Sequence, residues 1–451
     1  MTTLTGQLID QVLAVNYDAL PAAAIDMAKQ VTLDGIAVML AGATEPLGLG
    51  RIVTQYAKDS GSNPQATVIA GGFKTSMENA AFANGTMAHA LDFDNTWYPL
   101  NHPTSPTLPA ILAIAEHHNL GGKKMIEAIA AAFEVQGRLR MASTGLETGS
   151  GFHKPGTTGQ FGAVTAAAKM LDLDRRQALM AFGIAGSRAG SLSINTGSMT
   201  KSSHSGHAAR MGVECAVLAK MGFTGSADVF GPKGFFDTFL FGNAEPHLLI
   251  ENFGAPFRMV DPGVGFKKHP SNYFTHRPID AALMLREQYQ IKPEQIAKVD
   301  VVFPRFEYVN RPQPETGLDG KFSVQYTTTV ALLDGEITVD SFNNERRFAP
   351  DVAALLPKVM LHFDDNIPND FDRMHIDMTV TLTDGRVLKQ RVDKLSGWVG
   401  SPLTREQRLK KFHSCAKRVL DKRAADRVVA IVENLDALAD ADELMTLLRT
   451  G

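Results

Sequence analysis

Between Leu91 and Ala110 the chain reads LDFDNTWYPLNHPTSPTLPA. From Asp92 to His102 this stretch collects two carboxylates, a hydroxyl, a tryptophan, a tyrosine and a histidine, and the chain then enters the apolar run ILAIAE. It is too polar for core and too rich in proline for one helix. Taken singly, Asp94, Asn95 and Thr96 would serve as caps or turn residues. Taken together with Asp92 and His102, they offer a carboxylate to orient an imidazole, an imidazole to move a proton and a hydroxyl to bond a ligand.

Further segments share this texture. In GFHKPGTTGQFGA, Gly151 to Ala163, glycines and threonines lead straight into a helix, so free backbone N–H groups and a favourable dipole would face whatever lies beside His153. GSMTKSSHSGHAARMG has the same form, with Gly197, Ser198, Thr200 and Lys201 ahead of a small-residue helix. FKKHPSNYFTH, Phe266 to His276, places Lys267 and Lys268 where a second domain would open. Each also has an ordinary reading, as an N-cap beside a surface histidine or as a solvated basic turn. Together they suit a substrate with several carboxylates. They also suit chemistry at the carbon next to a carboxylate, where an ammonium stabilises the charge that builds as a histidine moves the proton. Such chemistry requires neither a redox nor a metal cofactor.

The elements that must position these groups are mostly helical. PAAAIDMAKQVTLDGIAVMLAGA opens with Pro21 and closes near Gly42, and TSMENAAFANGTMAHALD, SPTLPAILAIAEHH, KKMIEAIAAAFEVQGRLRMAS, TGQFGAVTAAAKML and DRRQALMAFGIAG carry the same periodicity. A helix running into AHALD would put His89 and Asp92 on one face near its end, and Asp174 with Gln177 forms a capping box. The abundance of alanine and glycine predicts close axial approach. After residue 266 the texture changes: AKVDVVFP reads as a strand, and HIDMTVTLTDGRVLKQRV as a hairpin turning at Asp384-Gly385. FSVQYTTTVALLDG fits helix or strand. The expectation is mainly α with a smaller α+β domain: an all-helical domain over 1–265, an α+β domain over 266–396, and C-terminal helices over 397–451 that return to the first.

Composition narrows the function. The 451 residues exceed what one core usually serves, and Lys+Arg 45 against Asp+Glu 48 gives a net charge of −3, which argues against nucleic-acid or membrane partners. The first residues lack signal-peptide features, and no apolar run approaches a membrane span, so a cytoplasmic protein is expected. Cys215 and Cys415 fall outside any paired-cysteine spacing, leaving neither a zinc ribbon nor an iron–sulfur cluster. GLGRIV lacks the third glycine of a dinucleotide fingerprint, and neither a phosphate loop nor a GxSxG elbow occurs. His204 and His207 in HSGH have a spacing two metal ligands use, but no carboxylate accompanies them, so they read as partly exposed polar positions and no metal is assigned.

In full, AHALDFDNTWYPLNHPTSPTLPAILAIAE, GFHKPGTTGQFGAVTAAAKMLDLDRRQALMAFGIAGS, GSMTKSSHSGHAARMGVECAVLAKMGFTG and KKHPSNYFTHRPIDA resemble the MmgE/PrpD family, which includes 2-methylcitrate dehydratase, cis-aconitate decarboxylase and iminodisuccinate epimerase. The resemblance implies a homodimer whose large helical domain and smaller α+β lid enclose the active site, working without an iron–sulfur cluster. By motif, the catalytic set of decarboxylase-like members corresponds to Asp92, Thr96, His102, His153, Lys201 and Lys267, with Tyr326 in KFSVQY a further pocket residue. Of these, His102, His153, Asp92 and Lys201 are assigned to catalysis, and Thr96, Lys267, Lys268, Asn272 and Tyr326 to substrate binding. Asn272 stands where the decarboxylases carry a histidine. That departure ranks dehydration of a 2-hydroxy tricarboxylate first, decarboxylation of cis-aconitate second and epimerisation third. A carboxylate-binding protein without turnover is the non-enzymatic alternative.

Overall fold

The computed structural model describes residues 3–143 and 151–450. The first part of the chain forms helices α1 (Leu4–Ala14), α2 (Ala22–Ala43), α3 (Leu49–Asp59), α4 (Met77–His89), α5 (Thr104–His117), α6 (Gly122–Ala142), α7 (Lys154–Met170), α8 (Arg175–Gly186), α9 (Met199–Lys220) and α10 (Phe235–Leu240), with the short ribbon β1 (Ala66–Thr67) and β2 (Lys74–Thr75). The caps follow the sequence. Ser76 Oγ accepts from Asn79 N at the start of α4, and Asp174 and Gln177 make the reciprocal capping box of α8.

The close approach predicted from small residues is concentrated where α4, α5 and α9 meet. A methyl group added at Gly206 of α9 would lie 2.1 Å from Thr86 Oγ1 and 2.3 Å from the Phe82 carbonyl, and one at Gly85 would lie 2.9 Å from Gly206 Cα. Ser202 Oγ also donates to the His89 carbonyl at 3.2 Å. The two helices therefore run antiparallel in near backbone contact, which sets the end of α4 beside the first turn of α9. That juxtaposition is the foundation of the site.

The second part builds a four-stranded sheet with α11 (His276–Tyr289), α12 (Gly317–Gly320), α13 (Val324–Asp334), α14 (Asn344–Arg347) and α15 (Pro350–Leu355). Its strands β3 (Ile296–Phe303), β4 (Val359–Phe363), β5 (Ile376–Leu382) and β6 (Val387–Val392) stand in the order β4-β3-β5-β6, with β3 parallel to β4 and the other pairs antiparallel. β5 alternates buried and half-buried residues, as its sequence predicts, and Gly385 at φ 89° closes the hairpin to β6. The ambiguous FSVQYTTTVALLDG is helix α13. Ser323 caps it, Gly335 ends it at φ 76°, and Thr327 and Thr329 return their hydroxyls to the Ser323 and Gln325 carbonyls, which reconciles β-branched residues with a helix.

Buried apolar side chains form two clusters. One spans the first helices and takes in Phe412, Val428, Leu444 and Leu448 from the C-terminal helices α16 (Arg405–Ala416), α17 (Lys422–Glu433) and α18 (Asp442–Leu448). The other runs from Tyr273 to Trp398 around the sheet. Among the described residues no helix is long and apolar enough to cross a membrane. The glycine contact between α4 and α9 has a measurable consequence. Gly206→Val forces backbone apart rather than a flexible side chain, so it should lower unfolding free energy by on the order of 1–3 kcal/mol in chemical denaturation. An unchanged midpoint would show that the two helices separate without cost.

Candidate active site

The end of α4 is where the helical pattern breaks. Asp92 takes φ 49°, the left-handed region, which aspartate tolerates better than most residues and which concentrates at functional positions. This turn puts Asp92 Oδ1 3.1 Å from Lys201 Nζ in the first turn of α9 and 3.1 Å from Lys267 Nζ. Two residues on, Asp94 is fully buried, with its oxygens 2.9 Å and 3.1 Å from His89 Nδ1 and 3.2 Å from His102 Nδ1. His102 Nε2 lies 3.6 Å from Asp92 Oδ1, too far for a good hydrogen bond but close enough to feel its charge. Thr96 is fixed by a two-way backbone pairing with Gly265 and by its hydroxyl, which donates to the Asn101 carbonyl at 2.6 Å.

Most of these groups line a cavity of about 250 Å³ between the two apolar clusters, with His89 and Asp94 behind its wall. Asp92, Thr96, His102, His153, Lys201, Lys267 and Asn272 all reach it, so the structure brings together seven of the nine residues singled out from the sequence. Lys154, Tyr273 and Tyr308 also line it. The Asn272 side chain is partly committed, accepting from Phe274 N at 3.0 Å.

The electrostatics separate into fixed charges and neutral bases. Burial opposes ionisation of Asp92, but the Lys201 and Lys267 ammoniums beside it outweigh that and hold its carboxyl well below the usual range. Burial likewise works against the Lys201 ammonium, and Asp92 more than compensates, so Lys201 stays charged. Lys267 is more deeply enclosed, and burial brings it below the ordinary lysine value despite Asp92 and Asp94. Burial, then the Lys201 charge, push His153 well below the usual histidine range, and burial brings His89 to about 4. His153 is therefore a neutral imidazole at pH 7, able to accept a proton. Lys154 has no ion-pair or hydrogen-bond partner for its ammonium among the described residues, and burial followed by the nearby Arg140 charge lowers it to about 8.

His89, Asp92, Asp94 and His102 each offer a ligand atom, all within 4.8 Å of one another, so the spacing alone would admit a metal ion. At Asp92, however, Lys201 and Lys267 already supply the positive charge a cation would bring. Asp92 Oδ2 and His89 Nε2 are buried without a hydrogen-bond partner among the described residues, and of the two residues Asp92 lines the cavity, where a ligand could reach it.

A family model described as the MmgE/PrpD N-terminal domain matches residues 6–248, and one described as the MmgE/PrpD C-terminal domain matches residues 269–437. The chain belongs to the MmgE/PrpD family. It is 33% identical to a cis-aconitate decarboxylase of Homo sapiens over 94% of its own length and 90% of that protein. It is 32% identical to the Mus musculus cis-aconitate decarboxylase, over 94% of this chain and 89% of the other. With a 2-methylcitrate dehydratase of Salmonella typhimurium it shares 26% identity over 84% of this chain and 82% of the dehydratase.

Two residues assigned to substrate binding stand elsewhere. Tyr326 is in the core of the second cluster, its hydroxyl donating to the Ser341 carbonyl at 2.5 Å and its ring pressed against Gly320. Helix α13 turns it inward, and the tyrosines that reach the cavity are Tyr273 and Tyr308. Lys268 faces outward and pairs with Asp280 at 2.8 Å, because neighbouring side chains of a non-helical segment leave in opposite directions and Lys267 takes the inner one. His204, read as a partly exposed polar position, is buried, with Nδ1 3.0 Å from His153 Nδ1. Its signal was its place three residues after Lys201, on the same helical face.

Behind the cavity, Lys411 of α16 contacts Asp34 Oδ1 at 2.6 Å and donates to the Phe93 carbonyl at 2.9 Å. Burial raises the Asp34 carboxyl above its usual value even with Lys411 beside it. Lys411→Met should cost on the order of 3–5 kcal/mol at neutral pH, since it strands a buried carboxylate. With its folded pKa raised, Asp34 binds a proton that the unfolded chain releases, so stability rises as pH falls from the folded value toward the unfolded one. The loss in Lys411→Met should therefore shrink at mildly acidic pH in urea unfolding. An equal loss at both pH values would remove Asp34 as its cause.

Proposed function

We propose that the chain is a cofactor-independent lyase that acts on a small tricarboxylate by moving a proton on a carbon next to a carboxylate, with dehydration of a 2-methylcitrate-like 2-hydroxy acid as its reaction. The observation that carries this reading is the pair of ammoniums, Lys201 and Lys267, on one oxygen of Asp92 at the wall of a cavity that His102 and His153 also line.

In this mechanism neutral His153 takes the proton, and the negative charge that builds on the substrate carboxylate is stabilised by Lys201 and Lys267, which Asp92 holds in place. His102, oriented by Asp94, gives a proton to the departing hydroxyl, which leaves as water. The Thr96 hydroxyl spends its hydrogen on Asn101, so its oxygen is an acceptor for a substrate O–H. Asp92 and Asp94 balance Lys201 and Lys267 in formal charge, and Lys154 is the surplus cation for an outer carboxylate. Decarboxylation of cis-aconitate is the second reading, favoured by the identity with the human decarboxylase over nearly the whole chain. It uses the same groups with the proton delivered to carbon as carbon dioxide leaves. The homodimer implied by the family belongs to this reading and is checked by light scattering.

Proton NMR in deuterated water, with 2-methylcitrate, cis-aconitate, citrate and iminodisuccinate supplied separately, tests the proposal. An alkene formed from 2-methylcitrate supports dehydration, methylene resonances of itaconate from cis-aconitate support the second reading, and loss of a C–H signal from iminodisuccinate alone would indicate epimerisation instead. No change with any of the four would reject lyase activity on these acids. His102→Ala and His153→Ala should each lower kcat on the order of 100-fold or more. Dialysis against EDTA should leave kcat unaltered, whereas restoration by a divalent cation would overturn the cofactor-independent mechanism.

A further inference from the structure

One side-chain contact at the site belongs to no step above. His153 Nδ1 and His204 Nδ1 face each other at 3.0 Å, with ring centroids 5.1 Å apart. A bond between two neutral imidazole nitrogens requires one to carry hydrogen and the other a lone pair, so each ring's tautomer dictates the other's. With Nδ1 engaged in this bond, Nε2 is the nitrogen that His153 has left for a ligand. We propose that His204 is a positioning residue that sets the tautomer of His153 and takes the Nδ1 proton when His153 Nε2 accepts one from the substrate. This inference rests on the proton-transfer reading of the site.

The step balances without a further reactant. Before reaction His153 carries hydrogen on Nδ1, donated to His204 Nδ1, and has a lone pair on Nε2. As the substrate C–H bond breaks, its proton goes to His153 Nε2 and its electron pair stays on the substrate. The Nδ1 hydrogen crosses to His204, so His153 remains neutral with hydrogen on Nε2 and the positive charge rests on His204. Return of the proton from His204 to His153 Nδ1 as Nε2 releases its own to solvent or product restores both rings.

The surroundings explain why a relay is useful. His153 is faced by Lys201 of α9, by His89 of α4 and by His102, besides His204, and all of them disfavour a cation on its ring. His204 is faced by Lys201 and His207, and lies one ring further from the substrate. Burial, then Lys201, bring His204 to about 4, so it too rests neutral and has a lone pair on Nδ1 for the hydrogen of His153. Moving the transient charge to His204 places it one ring further from the substrate and away from His89 and His102, which face His153. His207, one turn on, is exposed.

The test has two arms. In protein labelled with nitrogen-15 histidine, with His153 assigned by its loss in His153→Gln, the His153 ring nitrogens should show the limiting shifts of one tautomer, with Nδ1 protonated and Nε2 unprotonated. In His204→Leu they should move to values averaged between the two tautomers. Unchanged shifts would overturn the proposal whether or not a substrate is known. In the second arm, His204→Gln should lower kcat on the order of 10- to 100-fold with KM within about twofold, as for loss of a proton-transfer partner. It should also displace the acid limb of the kcat profile with pH. Equal pH profiles, or a loss confined to KM, would reduce His204 to a packing role. Absence of turnover in the wild type with every acid tried, together with the expected nitrogen shifts, would sink the lyase reading while leaving the tautomer control standing.

Discussion

The backbone from Ala90 to Phe93 is held by buried ammonium groups, and the rest of the site depends on that restraint. Lys321 donates to the Ala90 carbonyl at 3.2 Å, Lys267 to the Asp92 carbonyl at 2.5 Å and Lys411 to the Phe93 carbonyl at 2.9 Å. α4 ends at His89, so the Ala90 carbonyl is at its C-cap, where the negative end of the helix dipole favours a cation, and the Asp92 and Phe93 carbonyls lie in the turn beyond it, where burial requires a donor. The cations in turn are too buried to exist without partners. Lys321 is brought down to about 8, by burial first and then by Lys201 and Lys267. The three lysines come from the sheet-containing part and from the C-terminal helix, so the loop cannot take this form until both are packed against α4. The left-handed turn at Asp92 persists because its surroundings over-determine it.

Charge at the site divides between groups fixed as ions and groups fixed as neutral. Asp92 and Lys201 each lose solvation on burial, and each is returned to its ionised form by the other. His153 and His204 have no carboxylate among the groups that face them. His89 touches Asp94, yet burial and the surrounding cations still bring it to about 4. The result is an ammonium pair that can stabilise negative charge beside imidazoles able to accept a proton, two capacities that one kind of group cannot supply at the same pH.

The local elements of this arrangement were legible in the sequence, and the directions of individual side chains were not. Helices α2 and α4, the capping box of α8 and the β5–β6 hairpin follow from periodicity and turn residues. The four polar segments converge because each lies at a helix end or a chain turn, where function tends to be placed. Segment FSVQYTTTVALLDG was undecided because its threonines favour a strand while its hydroxyls can be absorbed by a helix, and only packing against the sheet chooses. Tyr273, Tyr308 and Tyr326 all stand in or against the second cluster, and nothing in their spacing says that the first two reach the cavity and the third does not. Lys411 was invisible for a different reason: within TREQRLKKFHSCAKRVL it is one basic residue among several, and its partner Asp34 lies on α2.

The packing and the chemistry are linked through the smallest residues. An ammonium acts on a developing charge only if it is already within hydrogen-bond reach, since reorganisation during the reaction would cost what the interaction returns. Lys201 meets Asp92 at that distance because α4 and α9 touch at Gly85 and Gly206, where any larger residue would displace backbone. Gly42 of α2 performs the same service from the other side: a methyl group there would lie 2.0 Å from the Met87 carbonyl. The alanine and glycine content that first marked the chain as closely packed is thus also what allows a buried acid and two buried lysines to share one oxygen. A looser helical core of the same topology would bury the same apolar surface and lose the site.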